Sequence, residues 1–280
     1  MTDLTTLLDG LYFGEGPRWR DGHLYLSDFY AHEVLRVDLD GNRERVAHFP
    51  QQPSGLGWLP DGTMLIVSMK DRKLMKLTDA GPVEYADLSS VAGFHCNDMV
   101  VSAEGRAYVG NFGYDHYTEP EEKTAKLARV DPDGSVHCAA TDLKFPNGSV
   151  ITPDGKTLIV GETRGNRLTA WDIALDGALS NRRVWADLGP NFPDGICLDE
   201  EGAIWVADPR LKETIRVREG GDVTHRILTG DYGSFACMLG GADRKTLFIC
   251  TAPGSGPSAV EARKGRVEYC RVDVPGAGLP

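Results

Sequence analysis

The sequence predicts an all-β fold, a six-bladed β-propeller with four-stranded blades, and two observations carry this prediction. First, a phrase of strand, turn and strand recurs six times in the 280 residues, at spacings of 39 to 50 residues. Second, the segments between copies alternate apolar and polar residues with period two, and none shows helical periodicity. A repeat of about forty residues built from short strands is typical of propeller blades. The copies begin GEGPRWRDGHLYLSD, PSGLGWLPDGTMLIVS, CNDMVVSAEGRAYVGN, PNGSVITPDGKTLIVG, PDGICLDEEGAIWVAD and ACMLGGADRKTLFICT.

The fourth repeat shows most clearly how one blade forms. An inner strand is predicted over residues 149–152, followed by a turn at Pro153-Asp154-Gly155. Proline presets φ for such a turn and glycine tolerates a positive φ. Three further strands are predicted over 157–161, 167–172 and 182–188. The remaining repeats give the same pattern, except that the last one lacks a strand.

The missing strand of blade six has one candidate, which is the N-terminus. Residues 4–8 precede the first repeat and have no other place, so we predict that they complete blade six. This closure removes a sheet edge that would otherwise be open to pairing with another chain. Residues 1–280 then form a single domain. Two long segments interrupt the pattern: 110–126, expected at the binding rim, and 251–266, a glycine-rich lid or spacer.

Composition excludes several classes of function. The net charge of −11 opposes binding to nucleic acid or to an anionic membrane, because phosphate contacts need clustered Lys and Arg. No apolar stretch reaches the length of a membrane helix, and the N-terminus resembles no signal peptide. The six cysteines form no C-x-x-C pair, which favours buried free thiols over a disulfide scaffold or zinc ribbon. A soluble, cytoplasmic protein is expected.

One column of the repeat changes its chemistry between copies. If this column faces the propeller axis, the oxygen-bearing side chains of four blades meet there. Carboxylate and amide oxygens suit a hard divalent cation, which would also offset the cost of burying two carboxylates. The sequence therefore predicts one divalent metal ion, calcium, held by Glu15, Asn97, Asn147 and Asp194, with zinc, manganese and magnesium as alternatives. Turn capping by the Asn and Asp side chains is the structural alternative. The second letters of the six copies are Glu15, Ser54, Asn97, Asn147, Asp194 and Cys237.

These motifs resemble the SMP-30/gluconolactonase family, also called regucalcin or senescence marker protein-30. GEGPRW, CNDMVV, FPNGSVITPDGKTL and FPDGICLDEEGAIWVAD carry the resemblance, which covers nearly the whole chain. It implies a six-bladed propeller with one divalent metal in its channel, and hydrolysis of lactones or, in relatives, of phosphotriesters. By this resemblance the metal-binding Glu, Asn and Asp fall on Glu15, Asn147 and Asp194. The asparagine at the metal or the substrate falls on Asn97.

One position departs from the sugar lactonases of that family. His95 stands where those members carry an arginine that binds sugar hydroxyls, and the following segment GNFGYDH differs as well. The aromatic run Phe112, Tyr114, His116 and Tyr117 indicates a less polar lactone or ester as the small-molecule substrate. Phe112 and Tyr114 are expected to contact it.

The expected reaction is attack of water on a lactone carbonyl, with the metal as Lewis acid. The resemblance implies Asp194 as general base. His95 is the rival, because an imidazole titrates near neutral pH, unless it only lines the pocket. Asn97 is expected to orient substrate or complete the coordination. Arg164 is expected to clamp a carboxylate or hydroxyl, with a surface salt bridge as the alternative.

Two other functions stay open at this point. One is a metal-dependent phosphotriesterase or arylesterase that uses the same site. The other is a calcium-binding propeller without catalysis. The absence of a G-x-S-x-G motif disfavours serine-hydrolase chemistry.

Overall fold

Six four-stranded antiparallel sheets form a β-propeller in the computed structural model, which describes residues 3–116, 118–119 and 121–278. The first strand of each repeat contacts the first strands of the two neighbouring repeats, so that these six strands enclose the axis. Blades one to three consist of β2 (Gly14–Arg20), β3 (His23–Asp28), β4 (Glu33–Val37), β5 (Arg43–His48), β6 (Pro53–Trp58), β7 (Met64–Ser68), β8 (Lys73–Thr78), β9 (Gly81–Asp87), β10 (Cys96–Val101), β11 (Ala107–Asn111), β12 (Ala125–Val130) and β13 (Val136–Leu143). Blades four to six consist of β14 (Pro146–Ile151), β15 (Thr157–Glu162), β16 (Arg167–Ile173), β17 (Leu179–Asp187), β18 (Ile196–Leu198), β19 (Ile204–Asp208), β20 (Glu213–Val217), β21 (Val223–Leu228), β22 (Gly233–Gly240), β23 (Thr246–Ala252), β24 (Gly265–Arg271) and β1 (Thr5–Leu11). The fold class predicted from the repeat is confirmed, with strand ends shifted by a few residues.

The glycines that recur in the repeat have a packing role. Each follows an axial residue at a point where an inner strand lies close to its neighbour. A Cβ atom on Gly55 would lie 2.5 Å from the backbone nitrogen of Met99, and one on Gly148 would lie 2.5 Å from that of Ile196. Only glycine permits this approach, which brings the inner strands together at the axis.

The inner strands of blades one to four each carry a register irregularity at the axial position. In β2 it lies between Glu15 and Arg18, and in β14 between Pro146 and Ser149. The inner strands β6 and β10 have it at the same place in their repeats. Such bulges re-aim side chains, and here they recur at the column that the sequence singles out.

The N-terminal strand closes blade six, as predicted. The order within that sheet is β22, β23, β24 and β1, so β1 is the outermost strand. Leu8 and Leu11 of β1 are buried in the hydrophobic core of this blade. The prediction placed this strand at residues 4–8, and it extends to Leu11.

Removing the first eight residues is expected to lower the free energy of unfolding by about 2–3 kcal/mol, because a buried leucine and much of an edge pairing are lost. For a domain of this size the loss corresponds to a fall in Tm of about 4–12 °C. Thermal unfolding followed by circular dichroism checks it, with removal of residues 1–3 as the control. A Tm unchanged from the full chain would contradict the closing role of β1.

Two elements lie outside the predicted pattern. Segment 251–266 contains a short helix, α1 (Pro257–Ala262), between β23 and β24. The C-terminal residues pack against blade five, where the amide of Ala277 donates to Leu198 O at 2.9 Å. The same segment pairs Gly276 with Asp199. A tail rich in glycine has no strand periodicity, and for that reason the sequence did not place it.

All six cysteines are free thiols, as predicted, but one of them is not buried. Cys138 is exposed because it lies on β13, the outer strand of blade three. The described part of the chain contains no helix that is both long and apolar enough to cross a membrane.

Candidate functional site

A cavity of about 870 Å³ opens at one mouth of the propeller channel. All four residues predicted as metal ligands line it, each from the inner-strand region of a different blade. Glu15, Asn97, Asn147 and Asp194 are buried, with exposed fractions of 4% to 9%. The structure therefore brings together the four residues that the repeat column singles out.

Burial raises the pKa values of both carboxylates in this group, Glu15 and Asp194. Burial, followed by the nearby charges of Asp194 and Asp98, raises the pKa of Glu15 well above its ordinary value. Burial also raises the pKa of Asp194 well above its ordinary value, and its hydrogen bond from Asn147 opposes this rise. Two like charges so placed favour either a shared proton or a neighbouring cation.

Asn147 links Asp194 to the neighbouring blade. Its amide Nδ2 donates to Asp194 Oδ1 at 2.5 Å and to Thr163 Oγ1 at 3.2 Å. Thr163 in turn donates to Pro193 O at 2.7 Å, so the orientation of the amide is fixed from two sides. Since the nitrogen makes both bonds, the carbonyl oxygen of Asn147 is the atom left to face a ligand.

A third buried carboxylate near the axis already has a partner. Arg18 donates to Asp98 Oδ1 at 2.7 Å and to Met99 O at 2.6 Å, and both members of the ion pair are buried. Asp98 is therefore neutralised within the protein. Glu15 and Asp194 have no such cationic partner within hydrogen-bonding distance in the described part of the chain.

These observations fit a divalent cation. Two buried carboxylates supply two negative charges, and Asn97 and Asn147 supply neutral oxygens, a donor set that hard cations prefer. Among the described residues there is no cluster of three or more His, Cys, Asp or Glu side chains that could hold a metal. Any ion at this site therefore depends on the two asparagine amides to complete its shell.

His95 lines the same cavity beside an aromatic wall. Its ring stacks on Phe94 with centroids 4.0 Å apart, and the ring of Phe112 lies at 6.1 Å. Burial, followed by the charge of Lys70, lowers the pKa of His95 below its ordinary value. The imidazole is therefore mainly neutral at pH 7, the form that accepts a proton. Phe112 and His116 also line the cavity, whereas Tyr117 lies outside the described residues.

The other two predicted substrate-binding residues do not line the cavity. Tyr114 is buried, and the guanidinium of Arg164 lies over its ring at 5.5 Å. Arg164 also lies 6.0 Å from the ring of Phe145 and forms an ion pair with Glu122 at 2.8 Å. Arg164 thus contacts Glu122, Tyr114 and Phe145 and does not line the cavity. This agrees with the salt-bridge alternative and not with the clamp.

Several lining residues were missed by sequence reasoning, although the repeat carries a signal for them. They stand two positions before the axial column, most of them just before the inner strand begins, so they too recur in one register of the repeat. Five of the six members of this earlier column line the cavity, all except Phe192. The members are Phe13, Gln52, His95, Phe145, Phe192 and Phe235.

The remaining members of the axial column, Ser54 and Cys237, are buried on the inner strands β6 and β22. Ser54 Oγ donates to Asn97 Oδ1 at 3.4 Å. Cys237 is buried, with its Sγ 3.8 Å from that of Cys197. Both residues are beside the channel, but neither reaches the cavity surface.

The fold and the cavity define a six-bladed propeller with one axial polar site. Residues 13–253 match the model of the family described as SMP-30/Gluconolactonase/LRE-like region, and the chain belongs to that family. Pentonolactonase XacC of Haloferax volcanii is 28% identical, over 95% of this chain and 92% of that protein. Diisopropyl-fluorophosphatase of Loligo vulgaris is 28% identical, over 64% of this chain and 63% of that protein.

A solved structure shows the same fold. The calcium-binding protein regucalcin from Agrobacterium tumefaciens superposes with a TM-score of 0.83, covering 100% of this chain and 97% of that one at 23% identity. At this level of identity the likeness concerns the architecture of the propeller.

Proposed function

We propose that this protein is a metal-dependent hydrolase that opens the ring of a lactone. The observation that carries the proposal is that Glu15, Asn97, Asn147 and Asp194 are all buried and all line one cavity. The family supports the substrate class, since the similar Haloferax volcanii protein is named a pentonolactonase.

The four axial residues would hold one divalent cation. Their oxygen donors favour calcium, with zinc, manganese and magnesium as alternatives. When bound, such an ion polarises the lactone carbonyl and stabilises negative charge on its oxygen. The two buried carboxylates supply the charge that retains it.

The chain's own groups would then manage the proton and the orientation of the substrate. Asp194 accepts a proton from the attacking water, whose oxygen bonds to the carbonyl carbon. The ring C–O bond breaks, and the same proton passes to the released ring oxygen to give a hydroxy acid. His95, neutral at pH 7, is the alternative acceptor. Asn97 orients the carbonyl, and Phe112 packs against the body of the substrate.

A second activity and a location complete the proposal. The similarity to diisopropyl-fluorophosphatase favours phosphotriester or aryl ester hydrolysis at the same site as the alternative reaction. The six free thiols support a cytoplasmic location, where disulfides are rare.

Purified protein is expected to hydrolyse lactones only while a divalent cation is present. A panel of lactones assayed by pH indicator, before and after EDTA and after re-addition of each ion, measures this dependence. Paraoxon-type esters assayed alongside distinguish the phosphotriesterase alternative by the higher kcat/KM. Calorimetric calcium binding without turnover of any lactone or ester would leave a non-catalytic calcium-binding propeller.

A further inference from the structure

The residue that directly follows the second strand of a blade lines the cavity in blades one to three and does not line it in blades four to six. In blades one, two and three this residue is Phe29, Met69 and Phe112, and all three line the cavity. The equivalent residues of blades four to six do not line it. Those residues are Thr163, Pro209 and Pro253. The cavity is thus displaced from the axis over blades one to three, where the three residues at this repeat position are apolar.

The walls of this off-axis lobe are aromatic on two sides. Phe112 stacks on Phe145 with centroids 4.5 Å apart and ring planes at 16°. On the other side, Phe13 packs edge-to-face on Phe235 at 4.6 Å and lies 5.4 Å from Phe29. These contacts fix the rings before any ligand arrives, so that binding orders few side chains.

Helix α1 forms a further wall. Val260 and Pro257 line the cavity, and Ala259 is buried in the same aromatic cluster. The amide of Gly256 donates to the hydroxyl of Tyr30 at 2.8 Å, which ties the helix to blade one. The lobe is therefore enclosed by blades one to three below and by α1 at the side.

The aromatic and aliphatic side chains of this lobe favour an apolar group, while His32, Gln52, Lys70 and Glu261 are polar side chains that also line the cavity. A cavity of about 870 Å³ lies in the range of about 300–1,000 Å³ in which pockets bury drug-sized ligands, so a single lactone ring at the axis leaves most of it unfilled. Aromatic rings offer no partners to several sugar hydroxyls, whose burial without hydrogen bonds is unfavourable. Apolar surface buried against the same rings is stabilising.

We propose that the substrate is a lactone whose ring carries a bulky apolar arm, aryl or long alkyl, with the ring at the axis and the arm over blades one to three. The inference rests on the proposed lactone hydrolysis and adds the class of lactone. Hydrolysis proceeds as for any lactone, with water adding to the carbonyl carbon and the ring oxygen leaving as a hydroxyl. The product is a hydroxy acid that carries the arm unchanged.

The test compares γ-phenyl-γ-butyrolactone, unsubstituted γ-butyrolactone and glucono-δ-lactone on four proteins. The wild type is expected to show a kcat/KM at least tenfold higher for the phenyl lactone than for either of the others. Met69→Ala should lower the phenyl lactone value about tenfold, equivalent to about 1.4 kcal/mol, and leave γ-butyrolactone within about twofold. Phe112→Ala should lower the phenyl lactone value by a larger factor than the γ-butyrolactone value. Pro209→Ala, at the same repeat position outside the cavity, should change neither.

A binding measurement separates the substrate class from the reaction. The lactam 5-phenyl-2-pyrrolidinone resembles the phenyl lactone and resists hydrolysis, so its Kd can be measured by calorimetry with calcium present. It should bind the wild type about tenfold more tightly than Phe112→Ala. Preference of the wild type for glucono-δ-lactone, or equal losses on all three lactones in Phe112→Ala, would overturn the inference and leave lactone hydrolysis intact. Tight, Phe112-dependent lactam binding without turnover of any lactone would instead refute the proposed reaction alone.

Discussion

Replacing Asp194 with asparagine is expected to lower kcat for lactone hydrolysis by about 100- to 10,000-fold, the usual range for loss of a general base. The change keeps a side-chain oxygen at the axis and removes the group that accepts the proton. Asp194 accepts a hydrogen bond from Asn147 at 2.5 Å, and an amide oxygen can accept the same bond. Initial rates on the best lactone of the panel, with saturating calcium, measure the effect.

Stability and cation binding distinguish a chemical role of Asp194 from a structural one. Glu15 and Asp194 are both buried and repel each other, so Asp194→Asn should leave the metal-free protein at least as stable as the wild type. Asp199→Asn is the matched control, because Asp199 is a buried carboxylate of the same blade that pairs with Arg216 at 2.7 Å. It should lose stability and retain turnover. Undiminished turnover in Asp194→Asn with calcium bound would show that His95, and not Asp194, accepts the proton.

The propeller could be predicted from the sequence because each copy of the repeat forms one blade, so the number and order of the copies give the number and order of the blades. Each copy carries the same turn, and the glycine at Gly55 or Gly148 is required where neighbouring inner strands meet. Closure by β1 followed from counting strands in blade six. Helix α1 and the C-terminal segment could not be predicted in this way, because neither belongs to the repeat and both are held by tertiary contacts such as Ala277 to Leu198.

The candidate site was predictable in proportion to its dependence on strands. Side chains of inner strands point where the pleat and the bulge direct them, and four of the six members of the axial column line one cavity. Of the column two positions earlier, only His95 was predicted, whereas Phe13, Gln52, Phe145 and Phe235 line the cavity as well. Tyr114 and Arg164 lie on connecting segments, where direction depends on packing. Arg164 forms an ion pair with Glu122 and lies over the ring of Tyr114, and it does not line the cavity.

Arg18 occupies the side of the channel away from the cavity. It lines a small space there with Ser149, Ile196 and the C-terminal residues Ala277 and Gly278. Besides Asp98 and Met99 O, its guanidinium donates to Pro17 O at 2.9 Å, and its charge acts favourably on Glu15. The carboxylate of Asp98 raises the electrostatic cost of both Glu15 and Asp194. Arg18 offsets the charge of Asp98, so that the two negative charges of Glu15 and Asp194 remain, which is the charge that a divalent ion balances.

Replacing Arg18 with methionine is expected to lower the free energy of unfolding of the metal-free protein by about 3–5 kcal/mol, because a buried charge loses its partner. Three buried carboxylates would then share the axis with no cation. The double variant Arg18→Met, Asp98→Asn removes both charges and should recover much of this loss, which is the test of the pair itself. Urea unfolding of the wild type, both single variants and the double variant measures the coupling. Calcium should also stabilise Arg18→Met by a larger increment than the wild type, since the added negative charge strengthens cation binding. Additive single-variant losses, with no recovery in the double variant, would show that Arg18 acts through its backbone hydrogen bonds and not through Asp98.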